Sequence, residues 1–394
     1  MGEALRVRRD KKFRRRRRGA LLLVLLALVL GVLVLFWSWV DAQARAVGVI
    51  SSVTDVPVIT PAAKAASGEP RFSDETVAGN PALVARPAGE GPWPTVFFVN
   101  GTVPEGRKLP EARRLAGGFA RAGFLVVLPD LPGLTEDRIT PDTVAETVDA
   151  ARAISNHPDA ANDRVALVGI STGATLALLA AGKPDVEGRV SVVAGVAPYS
   201  DIRTVVNVAT TGSYEKDESS FVRHRADPFL SYVVARSVVA ALPPGDDRQT
   251  LAAEIENVGR ENPNPLGGLR LRRTEDLGPG ARDVVALLAN RDPARFESLY
   301  AALPGGVKED LETFSPLAAV DQIKSPVEIA TGPQDRYFPA SESENLSGIA
   351  PDLRVTVTPA LDHAELTSSP GDVPALMQFN GFVVRTLKDA RAEE

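Results

Sequence analysis

The chain contains no cysteine and few histidines, and both shortages narrow its chemistry. Its 394 residues include no Cys and three His. Without cysteine the chain has no disulfides, zinc–thiolate sites, iron–sulfur clusters, cysteine nucleophile or lipid-modified cysteine anchor. A mechanism that needs an imidazole has three candidates, namely His157, His224 and His363.

Positive charge is concentrated at the start of the chain, and negative charge predominates elsewhere. Residues 1–18 carry ten Arg or Lys and two acidic residues, a balance of +8, so the rest of the chain carries a formal charge of −14. Nucleic-acid binding requires a basic surface, because the phosphate backbone dominates the interaction. No nucleic-acid partner is therefore expected.

An uncharged stretch follows the basic residues. Residues 19–40 read GALLLVLLALVLGVLVLFWSWV. A helix of this length spans ~33 Å at ~1.5 Å per residue, enough for a hydrocarbon core of ~30 Å. Because Arg14–Arg18 precede it, the positive-inside rule places residues 1–18 in the cytoplasm and the remainder outside. The alternative is secretion after cleavage at Ala42-Gln43-Ala44, although the apolar stretch exceeds the usual ~7–15 residues of a signal core.

The rest of the chain divides into a linker and an interrupted α/β domain. Residues 41–70 are rich in Ala, Ser, Pro and Thr, which predicts an extracytoplasmic linker. Valine-rich runs then alternate with helix-like stretches, which predicts a mostly parallel sheet with helices on both faces. The alternation stops at residues 200–319, interpreted as a helical cap inserted between core parts 71–199 and 320–394.

The predicted elements come from runs of apolar residues and from helical periodicity. The predicted core strands are 82–85, 95–99, 124–128, 165–168, 190–195, 327–330 and 353–358. The predicted core helices are 111–122, 143–154, 172–181 and 373–388, and the predicted cap helices are 232–241, 247–256 and 282–289.

A candidate nucleophile lies in a G-x-S-x-G pattern. Gly169-Ile170-Ser171-Thr172-Gly173 follows a predicted strand and precedes the strong helix former Ala174–Ala181. This context predicts a sharp strand-to-helix turn that projects the Ser171 hydroxyl above the sheet. The N–H groups and dipole at the helix start would favour a developing anion there. The simpler interpretation is an ordinary turn containing Gly and Ser.

A serine nucleophile needs an imidazole base and a carboxylate that orients it. His363 lies in the short loop between the last predicted strand and the final helix, which makes it the predicted base. His157 falls in a polar turn, and His224 lies between two arginines, so both are predicted to be surface residues.

Asp335 is the predicted acid, because it follows the strand that ends near Ala330. Asp362, adjacent to His363, is the nearest rival, and Asp130 lies at a strand end upstream of the serine. The order Ser171, Asp335, His363 along the chain is the one expected when the nucleophile lies in a G-x-S-x-G turn between a strand and a helix.

The predicted oxyanion donors lie at two turns. The run Thr95–Thr102 is a buried strand that enters a glycine turn. We expect the backbone N–H of Thr172, together with that of Gly101 or Thr102, to bind an anionic oxygen. The alternative is a plain loop glycine.

With these residues the chain resembles the α/β-hydrolase family, in its esterase, dienelactone-hydrolase and peptidase-like branches. The resemblance covers about Phe72–Tyr199 and Ser315–Lys388. Asn100 stands where many members have His before the glycine, and the cap of about 120 residues matches no family motif. The supporting runs are ALVARPAGEGPWPTVFFVNG, GFLVVLPDLPG, RVALVGISTGATLALLAA and SPVEIATGPQDRYFPASES.

The resemblance implies cleavage of a carboxylic ester through an acyl-enzyme on Ser171, without metal or cofactor. An exported domain suggests small-molecule, lipid or envelope esters as substrates. The alternatives are a peptidase or amidase, an acyltransferase on the same triad, and a non-catalytic binding protein on a hydrolase fold.

Overall fold

The computed structural model describes residues 25–32, 39–52, 68–217, 220–350, 352–367 and 373–391. Contacts divide the chain into two units, Met1–Arg45 and Ala46–Glu394. Of the predicted membrane segment, residues 25–32 and 39–40 are helical and the others lie outside the described residues. Within the described residues, no helix combines the length and apolar character needed to cross a bilayer.

Residues 39–52 are helical, so residues 41–52 of the predicted linker form a helix. Residues 41–46 alternate Ala with polar residues, and Ala is the best helix former. Asp41 and Arg45 also form an i,i+4 ion pair at 2.7 Å, a spacing that supports helices. Residues 53–67 of the predicted linker lie outside the described residues.

An eight-stranded sheet forms the centre of the second unit, in the order β1-β2-β4-β3-β5-β6-β9-β10. Strand β2 runs antiparallel to β1 and β4, and the other neighbours are parallel. The predicted α/β class is thereby confirmed. The strands of this sheet are β1 (Arg71–Val77), β2 (Asn80–Arg86), β3 (Trp93–Val99), β4 (Leu125–Pro129), β5 (Ala160–Ile170), β6 (Val190–Val196), β9 (Val327–Thr331) and β10 (Leu353–Val357).

Burial explains which strands the sequence predicts. Every residue of β4 and β9 is buried, as expected for central strands covered on both faces. Strand β4 is apolar throughout, whereas β9 includes the buried polar residues Glu328 and Thr331. Strand β1 was missed because it is an edge strand with mixed polar composition, of which Val77 is the buried residue. Ala78 and Gly79, with φ of 49° and 81°, form the tight turn that joins it to β2.

Helices cover the sheet, and Pro at the first position starts several of them, where a missing N–H is harmless. The helices of the core are α1 (Pro110–Arg121), α2 (Pro132–Thr135), α3 (Pro141–Ser155), α4 (Thr172–Ala181), α12 (Ala340–Glu344) and α13 (Val373–Asp389).

The cap segment, residues 200–319, contains more structure than the three predicted helices. Its strands β7 (Ser213–Asp217) and β8 (Ser220–Arg223) form an antiparallel hairpin, so the description "helical" is incomplete. Two-residue pairings next to the final helix form β11 (Leu361–Asp362) and β12 (Glu365–Leu366). The cap helices are α5 (Ile202–Thr211), α6 (Pro228–Ala240), α7 (Asp246–Val258), α8 (Gly267–Leu271), α9 (Pro279–Leu288), α10 (Pro293–Ala302) and α11 (Gly305–Glu312).

Candidate active site

Ser171 lies at the turn between β5 and α4, as predicted. Its backbone has φ 56° and ψ −129°, a region that non-glycine residues adopt rarely and at a cost of about 1–3 kcal/mol. Its N–H donates to the Val196 carbonyl at 2.8 Å, so the neighbouring strand β6 holds the turn. Strain of this kind concentrates at functional sites.

The glycines on either side of Ser171 allow strand and helix to approach closely. A Cβ on Gly169 would lie 2.4 Å from the Gly173 carbonyl oxygen. A Cβ on Gly173 would lie 2.1 Å from the Asn100 carbonyl oxygen. Both distances are shorter than van der Waals contact, so the turn requires glycine at the first and last positions of the pattern.

Asp335 and His363 are hydrogen-bonded to each other. The His363 Nδ1 lies 3.0 Å from Asp335 Oδ1 and 2.8 Å from Oδ2. Both side chains are buried, with 9% and 1% of their respective surfaces exposed. A carboxylate accepts hydrogen bonds, so this contact assigns the proton to Nδ1 and leaves Nε2 free to accept one.

The loop after β9 fixes the Asp335 carboxylate from the other side. Its Oδ1 accepts hydrogen bonds from the N–H groups of Tyr337 at 2.7 Å and Phe338 at 3.0 Å. The rings of Tyr337 and Phe338 pack against the His363 ring, with centroids 4.5 and 5.7 Å away. The sequence does not predict a role for these two aromatic residues. An Asp whose side chain accepts a hydrogen bond from the backbone N–H two residues later is nevertheless a recognisable turn pattern.

The rival carboxylates point to other partners. Asp362 pairs with Arg336 at 2.7 Å, and this hydrogen bond lowers the pKa of Asp362. Asp130 pairs with Arg107, whose backbone N–H it also accepts at 2.6 Å. Neither is hydrogen-bonded to His363 within the described part of the chain.

The other two histidines are not the surface residues that the sequence predicts. The His157 side chain is 9% exposed and lies 3.4 Å from a Glu75 carboxylate oxygen. The His224 ring is half-buried and packs edge-on against Tyr214 at 6.4 Å. Burial lowers the pKa of His224. Local sequence polarity misled the prediction, because both turns are covered by other parts of the fold.

The predicted oxyanion donors differ in availability. The Gly101 N–H donates to Asn100 Oδ1 at 3.0 Å, while Asn100 Nδ2 donates to the Gly106 carbonyl at 3.2 Å. The Asn100 side chain therefore holds the turn at Gly101 in place through these two hydrogen bonds. The backbone N–H groups of Thr102 and Thr172 have no acceptor within the described ranges, and the two hydroxyls are 3.1 Å apart.

Ser171, Thr172, Gly101, Thr102 and His363 line one cavity of about 570 Å³. Asp335 lies behind His363, outside the cavity lining. No hydrogen bond joins the Ser171 hydroxyl to His363 among the residues that the structure describes. Catalytic hydrogen bonds of this kind are frequently long in the absence of substrate. The arrangement of nucleophile, imidazole, carboxylate and free N–H groups is the one that acyl transfer requires.

The remaining cavity walls come mainly from apolar side chains of the core and the cap. Carboxylates at the rim are paired with arginines, Glu111 with Arg114 at 2.7 Å and Glu365 with Arg336 at 3.2 Å. In the described parts of the chain, no group of three or more His, Cys, Asp or Glu could hold a metal ion. The apolar wall residues include Leu109, Ala112 and Leu115 from the core and Phe229, Leu230 and Val233 from the cap.

Comparison with known proteins identifies the family. Residues 96–375 match the model of the alpha/beta hydrolase family. The chain belongs to the alpha/beta hydrolase family. No curated protein matches it significantly in sequence.

Several solved structures are similar to the chain at low sequence identity and low TM-score. The chain is similar to an esterase of Pyrococcus furiosus, with 14% identity over 82% of this chain and 92% of the other, at a TM-score of 0.44. It is also similar to the proline iminopeptidase of Mycobacterium smegmatis, with 16% identity over 81% and 98% of the two chains, at 0.43. A 2,6-dihydroxy-pseudo-oxynicotine hydrolase gives 16% identity over 81% and 68%, at 0.43.

Proposed function

We propose that this protein is a serine hydrolase that cleaves carboxylic esters through an acyl-enzyme on Ser171. The observation that supports it most is the buried hydrogen bond between Asp335 and His363 in the wall of the cavity that Ser171 lines. A strained serine on a glycine-flanked turn, with two free N–H groups beside it, completes the arrangement.

The first half of the proposed reaction forms the acyl-enzyme. His363 Nε2 takes the hydroxyl proton as Ser171 Oγ bonds to the ester carbonyl carbon. The carbonyl oxygen becomes an anion that the N–H groups of Thr102 and Thr172 stabilise. The bond to the alcohol oxygen then breaks, and His363 returns the proton to the departing alkoxide. The Asp335 carboxylate stabilises the transient imidazolium.

The second half repeats these steps with water. A water molecule loses a proton to His363 and attacks the acyl carbon, and the new anion occupies the same two N–H groups. The bond to Ser171 Oγ breaks, His363 returns the proton to that oxygen, and the carboxylic acid leaves. No electron donor or acceptor takes part.

The cavity walls support an ester with an apolar part over a peptide. Aliphatic and aromatic side chains form most of its lining, and burying apolar surface favours binding by about 25 cal/mol per Å². An aminopeptidase would need an unpaired carboxylate for the substrate ammonium, but Glu111, Asp362 and Glu365 at the rim are all paired with arginines.

Hydrolysis of p-nitrophenyl esters with acyl chains of increasing length tests the proposal. The wild-type protein should hydrolyse them, and Ser171→Ala should lose the activity by about 10³-fold or more. Ser298→Ala, at an exposed cap position, is the matched control and should retain it. A fully folded Ser171→Ala protein with wild-type activity would refute the role of Ser171, and no activity in the wild type would refute the ester substrate.

We further propose that residues 19–40 anchor the protein in the membrane with the hydrolase domain outside the cytoplasm. The support is the uncharged stretch and the arginines before it. Alkaline carbonate extraction of membranes should leave the full chain in the pellet and release a variant that begins at Ala42. A full chain released by carbonate, or a mature N-terminus near Ala44 in the soluble fraction, would contradict the anchor.

A further inference from the structure

A second cavity, of about 810 Å³, lies in the cap segment and is lined by four arginines. Arg223 and Arg225 extend from the end of the β7–β8 hairpin, Arg270 from α8, and Arg291 from the turn before α10. No Asp or Glu is among the described residues that line it. The cavity shares no lining residue with the one that contains Ser171.

None of these four arginines forms an ion pair with a carboxylate among the described residues. Elsewhere in the same cap, Arg272 pairs with both Glu254 and Asp276 at 3.0 Å. Asp227 and Asp292, which adjoin lining residues in sequence, cap helices instead, through the N–H groups of Phe229 at 2.9 Å and Ala294 at 3.0 Å. The four guanidinium groups therefore have no direct carboxylate partner within the described fold.

Arg270 shows this lack of a carboxylate partner most clearly. Its guanidinium donates to the Asn264 side-chain oxygen at 3.1 Å and to the Thr210 carbonyl at 3.0 Å. These acceptors are neutral, and Arg270 Nε is buried without any partner in the described structure. Burial and the nearby charge of Arg291 lower the pKa of Arg270. A partly buried cation beside a second cation is unfavourable unless an anion offsets it.

We propose that this cavity binds a ligand that carries a phosphate group. The planar guanidinium matches phosphate oxygens through paired hydrogen bonds, and four arginines suit a group with up to two negative charges. The cavity is larger than a phosphate, and Phe221 and Leu266 add apolar wall, so the ligand also has an organic part. A soluble phosphate ester and a phospholipid headgroup share this chemistry. The inference does not depend on the proposed esterase activity.

Binding of glycerol 3-phosphate and of dihexanoyl phosphatidic acid to the full chain in nonionic detergent tests the proposal. Dihexanoyl glycerol, which has the same acyl chains but no phosphate, measures partition into the detergent. The wild type should bind at least one phosphate probe more tightly than this control. Stronger binding of glycerol 3-phosphate identifies a soluble ester, and stronger binding of the diacyl probe identifies a lipid headgroup.

Two sets of variants separate the site from general charge effects. The double variant Arg223→Gln/Arg225→Gln changes two exposed side chains, and the single variant Arg270→Gln changes the half-buried arginine. Each should weaken binding by about tenfold or more, with an unfolding temperature close to that of the wild type for the exposed pair. Arg121→Gln on α1 removes the same single charge as Arg270→Gln and should bind normally. Absence of binding to both phosphate probes, or equal weakening by Arg121→Gln, would overturn the proposal.

Discussion

The core and the cap contribute different kinds of wall to the cavity that Ser171 lines. Ser171, Asp335 and His363 follow β5, β9 and β10, whose carboxyl ends meet at one edge of the sheet because these strands are parallel to their neighbours. Ligands of open α/β sheets bind at this edge. The cap adds Phe229, Leu230 and Val233 from one helix, all apolar. All the polar residues that line the cavity thus come from the core, and the cap adds apolar side chains alone.

The largest effect should come from removing the base supplied by the core. We expect His363→Ala to lower kcat/KM for p-nitrophenyl butyrate by about 10³–10⁶-fold, because Ser171 loses its proton acceptor. The control is His157→Gln, a buried histidine of the core outside the cavity. Comparable losses in both variants would show that the effect reports core integrity and not catalysis.

Removing the acid should have the next largest effect. Asp335→Asn keeps the shape but favours the wrong imidazole tautomer, so kcat should fall by about 10²–10⁴-fold. Asp362→Asn, one residue from His363, should lower it by less than about tenfold, since that carboxylate pairs with Arg336. Steady-state kinetics would decide, and the reverse ranking would transfer the role to Asp362.

A pair of glycine variants contrasts the tight core turn with the open cap. Gly173→Ala places a Cβ 2.1 Å from a backbone oxygen, so the free energy of unfolding should fall by about 1–3 kcal/mol. Gly268→Ala in α8 meets nothing within 4 Å and should stabilise by up to about 1 kcal/mol. Urea denaturation measures both. Equal stability changes would contradict the close approach of β3 and α4.

Cap variants should change selectivity while leaving the chemistry intact. Val233→Trp fills part of the cavity and should shift preference toward short acyl chains by about tenfold. Phe229→Ala enlarges it and should shift preference toward long chains. The ratio of kcat/KM for decanoate and butyrate esters measures the shift. A ratio unchanged in both variants would remove α6 from the substrate-binding wall.

The smallest expected effect comes from the ion pair between Glu75 and Arg86 at the edge of the sheet. Burial acts to raise the pKa of Glu75, but hydrogen bonds from Arg86, Ser73 and His157 outweigh it and lower the pKa from 4.5 to about 2. A lowered folded-state pKa stabilises the fold above pH 4.5 and loses that contribution as pH falls toward 2.

Glu75→Gln should therefore destabilise by less than about 1 kcal/mol near pH 7, with the difference vanishing in acid. The exposed cap pair of Arg273 and Glu275 provides the control, and Glu275→Gln should cause no measurable change. Thermal unfolding across pH would test both, and a pH-independent difference for Glu75→Gln would refute the ionic origin of the effect.

The sequence predicts the core better than the cap for a physical reason. Buried parallel strands are rich in apolar residues, and the glycine turn around Ser171 has a sequence pattern dictated by close packing, so both can be recognised locally. The packing partners of Asp335 and His363, namely Tyr337 and Phe338, depend on tertiary contacts. The charged cavity around Arg270 brings together arginines that are up to 68 positions apart in sequence, which no local pattern reveals.

Labelling of the folded protein with a fluorophosphonate, followed by peptide mass spectrometry, tests whether Ser171 is an activated nucleophile. We expect a single adduct on Ser171. The adduct should be absent in Ser171→Ala, and the rate of labelling should be much lower in His363→Ala. A well-folded wild-type protein that remains unlabelled, or an adduct on a different serine, would contradict the assignment of Ser171 as an activated nucleophile.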